Sequence, residues 1–330
     1  MSGSISTRNP ERRCAVHGID KVRFISRSSC PLHGDGVAEA TGGLEFWKSV
    51  RVDSAQRTFR LLKCPRCGVA LTDPYPSEDT VQWLYEGRDS DNYDPVQETV
   101  MDWLKDFFAR QDIRRIQTMA GRPPLMTVLD FGTGNGRFAM ACRDVFPGCR
   151  VDAVDLQTEP PASLSVASGI RYSPLEAFQK EAGCYDLIIL RHVIEHVHDP
   201  LLFLSSLVQR LSPKGVLYLE VPNSDSAQTR FFSSSANAFF LPYHLFHFTR
   251  QSLGGFLMTV GLDSRISTKT LPIAGCILAA LLKQKRSLIH QALGVVLHPL
   301  QLFMDLLFGK STLAAVCTRA AFSKSRQLSV

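Results

Sequence analysis

Apolar residues in the middle of the chain fall into short buried runs separated by stretches of helical period. "LMTVLDF" reads as a buried strand, "GRFAMACRDVF" as a helix and "RVDAVDL" as a second strand. Strand, helix and strand in such close succession predict a right-handed βαβ unit. Further strands are predicted at "YDLIILRHV" and "GVLYLEVPN", with a helical stretch between them. The pattern therefore predicts an α/β fold built on an open, doubly wound, Rossmann-like sheet.

Ahead of this region, residues 96–120 place five apolar side chains at helical spacing with charged residues between them. These side chains are Val100, Trp103, Leu104, Phe107 and Phe108. We expect a helix whose apolar face packs against the following domain. Gly121 and the two prolines that come shortly after it predict the end of this helix.

Glycines and carboxylates surround the first strand-to-helix turn, in the order Asp130, Gly132, Gly134, Gly136. Glycines let the loop leave the strand sharply, and they let a ligand lie against the main chain where a Cβ atom would collide. Asp155 ends the second strand and can accept both hydroxyls of a ribose. The arrangement indicates a cofactor that contains a nucleoside.

The spacing of the glycines separates two classes of cofactor. A dinucleotide-binding loop reads G-x-G-x-x-G, whereas this loop reads G-x-G-x-G after an acid. It resembles motif I of the class I S-adenosylmethionine-dependent methyltransferases. Residues 185–223, with H-x-x-E-H and P-K-G, and the later segment "YHLFHFT" are similar to the same family, over roughly residues 60–325 in all.

This resemblance implies which residues hold S-adenosylmethionine. The loop of Asp130, Gly132, Gly134 and Gly136 would bind the amino-acid part, and Asp155 would bind the ribose. Many members place an acid against the adenine after the third strand. This chain reads "IRYSPLEAF" there, so the contact falls to Ser173, to Glu176 or to the backbone.

Histidines supply the candidate general bases. Methyl transfer from a sulfonium requires an aligned acceptor and, for a hydroxyl, removal of its proton, which suits a histidine. His192 is predicted to contact cofactor or substrate at the carboxyl edge of the sheet, and His192 and His244 are the candidate catalytic residues. Alternatively, His192 and Glu195 only brace the start of a helix.

Two further histidines admit structural interpretations. His196, like Glu195, is more readily explained as part of the helix start than as a catalytic group. His244 and His247 have a spacing that suits a metal, but no third ligand is evident beside them, so no metal is assigned there. His247 is interpreted as a structural bracket.

The N-terminal region contains two C-x2-H pairs and one C-x2-C pair, each followed by glycine. Each pair places two soft ligands around a tight turn, and two such turns supply the four ligands of a tetrahedral structural zinc. Related methyltransferases carry a zinc-ribbon-like unit of this kind. Cys14 and His17 form a competing pair or half of a second site, and the alternative is a set of free cysteines without metal. The predicted zinc ligands are Cys30, His33, Cys64 and Cys67.

Residues 271–309 form an apolar segment between two predicted strands. Its longest uncharged apolar run, Leu271 to Leu282, is about half of the ~20 residues that a spanning helix needs, so no transmembrane helix is expected. Polar residues recur at helical spacing and leave a broad apolar face, flanked by Lys283, Lys285 and Arg286. This predicts an interfacial helix near anionic lipid, helices that close the substrate pocket, or a dimer interface.

Charge and composition indicate which kinds of binding partner and which cell compartment the sequence favours. The formal net charge is +6, and after residue 265 eight Lys and Arg residues face the single acid Asp305, which favours an anionic surface over a nucleic-acid groove. No nucleic-acid-binding module is evident. Nine scattered cysteines and an N-terminus without an apolar signal region favour the reducing cytoplasm, with peripheral attachment at the inner membrane face as a further option.

A length of 330 residues with 45% hydrophobic content suits one large domain and a smaller one. The predicted function is S-adenosylmethionine-dependent methylation of an oxygen or carbon on a small-molecule or lipid-linked acceptor, such as a sugar or a quinone-like compound. A non-catalytic module that keeps the cofactor fold and a nicotinamide-dependent oxidoreductase are the alternatives. The predicted divisions are an arm at 1–13, a zinc-ribbon-like unit at 14–75, linking helices at 76–122, a Rossmann-like domain at 123–270 and 310–323, and an apolar helical insertion at 271–309.

Overall fold

The computed structural model describes residues 23–26, 29–33, 44–52, 57–77, 100–120, 127–165, 169–231, 239–270 and 288–320. The strands are β1 (Phe24–Ile25), β2 (Glu45–Val52), β3 (Arg57–Lys63), β4 (Ala70–Asp73), β5 (Tyr75–Pro76), β6 (Thr127–Phe131), β7 (Arg150–Asp155), β8 (Ile170–Pro174), β9 (Tyr185–Arg191), β10 (Leu211–Pro222), β11 (Phe246–His247), β12 (Leu262–Lys269) and β13 (Thr312–Arg319). The helices are α1 (Val100–Ala120), α2 (Arg137–Val145), α3 (Ala162–Ser165), α4 (Leu175–Phe178), α5 (Pro200–Gln209), α6 (Ala227–Phe231), α7 (Arg250–Thr259) and α8 (Leu288–Phe308).

Seven strands form the central sheet, in the order β12-β13-β10-β9-β6-β7-β8. Strands β6 to β10 run parallel, whereas β13 is antiparallel to both of its neighbours. The strand order reverses between β6 and β9, and the carboxyl ends of the parallel strands meet at one edge there, where open α/β sheets bind their ligands. The predicted Rossmann-like, doubly wound sheet is confirmed.

Strand β9 shows why the sheet centre reads as a continuous apolar run. Its residues Leu187, Ile188, Ile189 and Leu190 are all fully buried, because helices cover both faces of the sheet. Leu187 and Ile189 belong to the core on the side of α1 and α2, and Ile188 and Leu190 to the core on the side of α5 and α7. The edge that carries the site is therefore supported from both sides.

Helix α1 packs on the sheet, but through a different face from the one that the aromatic residues predict. Trp103 and Phe108 are 60% and 61% exposed, whereas Ala109, Ile113 and Ile116 are buried against the core that includes α2. These three lie at the four- and three-residue spacing of one helix face. The small side chain of Ala109 and the two isoleucines allow a close approach to the sheet side, and the aromatic rings point elsewhere.

The N-terminal region forms a four-stranded antiparallel sheet in the order β11-β4-β3-β2. Its edge strand β11 comes from far along the chain, and Phe246 and His247 pair there with Leu71 and Ala70. The sheet also shares a small core with later residues, since Phe59 and Leu61 pack with Phe239. This unit is thus completed by a segment that follows β10.

Helix α8 lies between β12 and β13 and carries many exposed apolar side chains. Its end contacts α6, with the rings of Phe231 and Phe308 4.8 Å apart between centroids. Among the residues that the structure describes, no helix is long and apolar enough to cross a membrane. The arm at 1–13, Cys14, His17 and the flanking Lys283, Lys285 and Arg286 lie outside the described residues.

Candidate active site

The glycine-rich loop joins β6 to α2 at the carboxyl edge of the sheet. Gly132, Gly134 and Gly136 have φ angles of 73°, 56° and 76°, which side chains other than glycine rarely adopt. A Cβ atom on Gly132 would lie 2.4 Å from Val193 Cγ2, and one on Gly136 would lie 2.5 Å from Leu164 Cγ. At these two positions the glycine is therefore required by the backbone and by the protein's own packing, before any ligand is considered.

The two carboxylates hold this loop in place. Asp130 is buried and accepts a hydrogen bond from the Thr133 hydroxyl at 2.7 Å, and burial raises the pKa of Asp130 to about 6. Asp155, at the end of β7, accepts the backbone N–H of Gly134 at 2.8 Å and that of Leu156 at 2.8 Å. The loop and the end of β7 are thus tied together across the edge where the cofactor is predicted to bind.

The third strand brings its own residues to the same edge. Ser173 is buried near the end of β8, opposite Val154 of β7, and Glu176 is exposed in the first turn of α4. Pro174 pairs with Asp155 in the strand register. The two candidate partners of an adenine therefore lie beside the predicted ribose acid.

A histidine and a buried glutamate follow β9. His192 Nδ1 lies 3.2 Å from Oε1 of Glu195, whose side chain is fully buried, while the His192 side chain is 34% exposed. His192 has a φ of 53°, which is uncommon for a residue other than glycine and typical of functional sites. Because the carboxylate accepts a hydrogen bond from Nδ1–H, the lone pair of neutral His192 lies on Nε2, as a general base requires.

A network of buried charges supports this turn, and the sequence reasoning missed it. Glu220 of β10 is fully buried and accepts hydrogen bonds from Arg191 at 2.6 Å and from Lys269. Burial alone would raise the pKa of Glu220, yet Arg191 and Lys269 hold that pKa well below its usual range. The Glu220 carbonyl also accepts the backbone N–H of His192 at 2.9 Å. The signal available in the sequence was charged residues inside otherwise apolar strands.

The loop before β11 brings His244 to the same edge. The rings of His196 and His244 are 4.6 Å apart between centroids. The Thr72 hydroxyl donates to the His244 carbonyl at 2.7 Å and lies 2.9 Å from Nε2 of His247. Burial lowers the pKa of His247 to about 3, so this residue stays neutral and has a structural position.

The N-terminal cysteines and histidine also come together. Cys30 Sγ lies 3.6 Å from Cys67 Sγ, and Cys64 Sγ lies 3.4 Å from Nδ1 of His33. All four potential ligand atoms lie within 4.8 Å of one another. A tetrahedral zinc with bonds of about 2.3 Å to sulfur and about 2.0 Å to nitrogen needs ligands separated by such distances.

Comparison with known proteins identifies the family of the chain. A family model described as "Methyltransferase domain" matches residues 97–265, which is just over half of the chain. The chain therefore belongs to this methyltransferase family. Its sheet order, with an antiparallel β13, and its glycine loop are those of the class I S-adenosylmethionine-dependent type.

Curated relatives match a shorter part of the chain. The ubiquinone biosynthesis O-methyltransferase of Caulobacter vibrioides is 32% identical over 112 residues, which is 32% of this chain and 44% of the relative. The trans-aconitate 2-methyltransferase of Deinococcus radiodurans is 28% identical over 132 residues, 38% of this chain and 50% of the relative. The chain thus spans about half the length of the curated relatives it matches.

Solved structures with a similar course of the chain are more distant. Coclaurine N-methyltransferase, bound to N-methylheliamine and SAH, is 15% identical with a TM-score of 0.45, covering 70% of this chain and 75% of that one. The plantazolicin methyltransferase BpumL in complex with SAH is 15% identical with a TM-score of 0.44, covering 74% of this chain and 90% of that one.

The glycine loop yields a prediction with an internal control. Gly132→Ala should lower the free energy of unfolding by about 1–2 kcal/mol for the left-handed backbone and by a further ~1–3 kcal/mol for the clash with Val193. Gly148→Ala should incur only the first cost, because Gly148 has a φ of 87° and no atom within 4 Å of the added Cβ. Urea unfolding of both variants measures the difference. Equal losses in the two would contradict the assigned contact, and Val193→Ala should partly restore Gly132→Ala.

Proposed function

We propose that this chain transfers a methyl group from S-adenosylmethionine to an oxygen of a small-molecule acceptor. The observation that carries the proposal is the convergence of the glycine loop, Asp155 and the His192–Glu195 pair at one edge of the sheet, where the strand order reverses. The relatives named for ubiquinone biosynthesis O-methylation support a quinone-like or lipid-linked acceptor.

Each end of the cofactor would meet its own group of residues. S-adenosylmethionine, when bound, supplies a methyl group on a positively charged sulfur. Asp155 would accept the ribose hydroxyls, and the loop from Asp130 to Gly136 would hold the amino-acid end, as the family resemblance implies. Since Asp155 and Gly134 are already hydrogen-bonded, the two halves of the cofactor site are fixed relative to each other.

Catalysis would consist mainly of alignment. The site would hold the acceptor oxygen in line with the methyl group that S-adenosylmethionine supplies, so that the new bond to oxygen would form as the carbon–sulfur bond breaks and its electron pair stays on sulfur. The proton of the acceptor hydroxyl passes to His192 Nε2, and Glu195 stabilises the imidazolium that forms. His244 is the second candidate base, because its loop reaches the same edge.

The cofactor assignment is tested by Asp155→Asn, which keeps an oxygen for the Gly134 N–H but removes the negative charge and the second oxygen, which accepts from the Leu156 N–H. We expect weaker binding of S-adenosylmethionine in calorimetry, by about 1.5–3 kcal/mol for each charged hydrogen bond lost. Asp263→Asn, an exposed position in β12, is the matched control and should bind normally. Unchanged affinity in Asp155→Asn would contradict the ribose assignment, and tighter binding of NAD by the unaltered protein would favour an oxidoreductase instead.

We further propose that Cys30, His33, Cys64 and Cys67 hold a structural zinc. Three of the four are buried, and their separations suit tetrahedral ligation. The ion would stabilise the turn between β3 and β4, and β4 carries Thr72, which binds the His244 loop. Zinc would thus act on the active site only through the position of β4.

Elemental analysis tests this site. Protein purified in reducing, chelator-free buffer should contain zinc, and Cys64→Ser should lower the zinc content by one equivalent. Cys184→Ser is the matched control, because Cys184 is exposed and lies outside the cluster, and it should keep the full zinc content. Equal zinc in both variants would rule out the proposed ligands.

Helix α8 supplies the third proposal, attachment to an anionic membrane surface. Val296 and Leu306 are 73% and 76% exposed, and Leu300, Phe303 and Leu307 are also exposed. Such a surface suits the boundary of a bilayer. The excess of basic residues in this part of the sequence would add about 1 kcal/mol for each residue near anionic headgroups.

A single charge on the apolar face tests membrane attachment. Leu306→Asp should sharply reduce co-sedimentation with anionic liposomes at low salt, because it places a charge among apolar side chains that meet lipid, and binding of S-adenosylmethionine should not change. Leu202→Asp, at a 69% exposed position of α5, is the matched control. If the unaltered protein ignores liposomes and Leu306→Asp converts a dimer to a monomer, the face is a subunit interface.

A further inference from the structure

A fully buried carboxylate, Glu195, has only one of its two oxygens engaged within the described chain. Oε1 lies 3.2 Å from Nδ1 of His192. Oε2 is buried and accepts no hydrogen bond from any residue that the structure describes. An ionised oxygen in such a position is strongly unfavourable unless a cation or a donor reaches it. Glu195 Oε2 therefore indicates a missing positively charged or proton-donating partner.

Two histidines lie beside the carboxylate of Glu195. One potential ligand atom from each of Glu195, His196 and His244 lies within 4.8 Å of the other two. His196 Nδ1 lies 3.0 Å from the Tyr243 carbonyl, to which it donates, so the lone pair of neutral His196 is on Nε2. Histidines that bind metals typically donate their other ring N–H to a carbonyl or carboxylate in this way.

The backbone fixes these residues from two directions. The Leu245 N–H donates to the Glu195 carbonyl at 2.7 Å, and the Thr72 hydroxyl donates to the His244 carbonyl at 2.7 Å. Within the described ranges, His192 and Phe240 are the residues other than glycine with positive φ, and each begins one of the two turns. The structure thus holds both turns in unusual conformations that bring the three side chains together.

We propose that Glu195, His196 and His244 bind a divalent transition-metal ion. Two imidazoles and one carboxylate suit Zn²⁺, Mn²⁺ or Fe²⁺ better than Mg²⁺ or Ca²⁺, which prefer oxygen ligands. With three protein ligands the ion keeps open positions for a substrate oxygen. This site is separate from the cluster of cysteines, and His247 is not part of it because its Nε2 lies against Thr72.

A small cavity gives such an oxygen a place. It has a volume of about 20 Å³, which is room for a water or a single acceptor oxygen, and it borders His244. Its walls also include Ser224 and Asn223, at the end of β10. Of the three proposed ligands, His244 alone lines this cavity.

The ion would have a role in catalysis, and that role rests on the proposed methyl transfer. A cation beside the acceptor hydroxyl lowers the pKa of that hydroxyl and orients the oxygen. The proton released by the hydroxyl passes to His192. The oxygen then forms a bond to the methyl carbon while the carbon–sulfur bond breaks and its electron pair stays on sulfur. His244 becomes a metal ligand, which leaves His192 as the general base, and the acceptor class becomes a hydroxyl compound.

Manganese is the probe for this site, because Mn²⁺ suits imidazole and carboxylate ligands and is disfavoured by thiolates. Full-length protein titrated with Mn²⁺ should reduce the electron paramagnetic resonance signal of the free ion by one equivalent. Glu195→Gln keeps an oxygen that accepts the hydrogen bond from His192 Nδ1. His196→Asn keeps an N–H that can donate to the Tyr243 carbonyl. Each should weaken Mn²⁺ binding at least about tenfold. His198→Gln is the matched control, since His198 Nε2 contacts the Pro76 carbonyl instead, and it should bind Mn²⁺ normally.

Retained binding of S-adenosylmethionine and a normal circular dichroism spectrum show that the variants fold. Absence of Mn²⁺ binding by the unaltered protein up to 1 mM, a concentration on the order of the weakest specific sites, would overturn the metal site. Equal binding by Glu195→Gln and His196→Asn would do the same. Metal binding that survives while S-adenosylmethionine fails to bind would instead reject the methyl-transfer proposal and keep the site. If both ligands bind, methylation that is lost with Mn²⁺ removal and restored on its return supports the role in catalysis.

Discussion

The pairing of β11 with β4 is the interaction on which the arrangement of the site depends. It joins Phe246 and His247 to Leu71 and Ala70, and so attaches the N-terminal sheet to the loop that carries His244. Thr72 strengthens the junction, because its hydroxyl donates to the His244 carbonyl and lies within hydrogen-bond distance of His247. The ladder adds to the bond between the Leu245 N–H and the Glu195 carbonyl, which holds the same loop against the turn after β9.

This junction links the two clusters of potential metal ligands. Cys64 and Cys67 form the turn that leads into β4, whereas His244 lies just before β11. A stable turn at the cysteines keeps β4 in register, and the register of β4 places β11 and the loop ahead of it. The N-terminal unit therefore supports the loop that carries His244.

On the other side of the site, buried charge holds the turn after β9. Glu220 accepts from Arg191 and Lys269 and, through its carbonyl, from the His192 N–H. Breaking one member of a buried ion network leaves the others without a partner, which is costly. The uncommon backbone conformation of His192 is thus maintained by groups within the sheet, and Glu195 then orients its ring.

The sequence by itself determined the class of fold, the glycine loop and the acid at the end of β7. These features are local, because hydrophobic period and glycine spacing are set by neighbours in the chain. Some local readings were incomplete. The aromatic residues of α1 are its most apolar, yet Ala109, Ile113 and Ile116 form the packing face, since packing depends on shape as well as on hydrophobicity.

Only the tertiary structure decided which residues lie beside His244. The spacing in the sequence suggests that His244 and His247 act together. In the structure, His247 contacts Thr72, because β11 pairs with β4. His244 instead lies beside His196 and Glu195. His244 and its two neighbours lie in different loops, and the local sequence does not specify which loops lie together at one edge of the sheet. The physical reason is that a ligand set formed by long-range strand pairing is specified by the register of the whole fold and not by the spacing of residues along the chain.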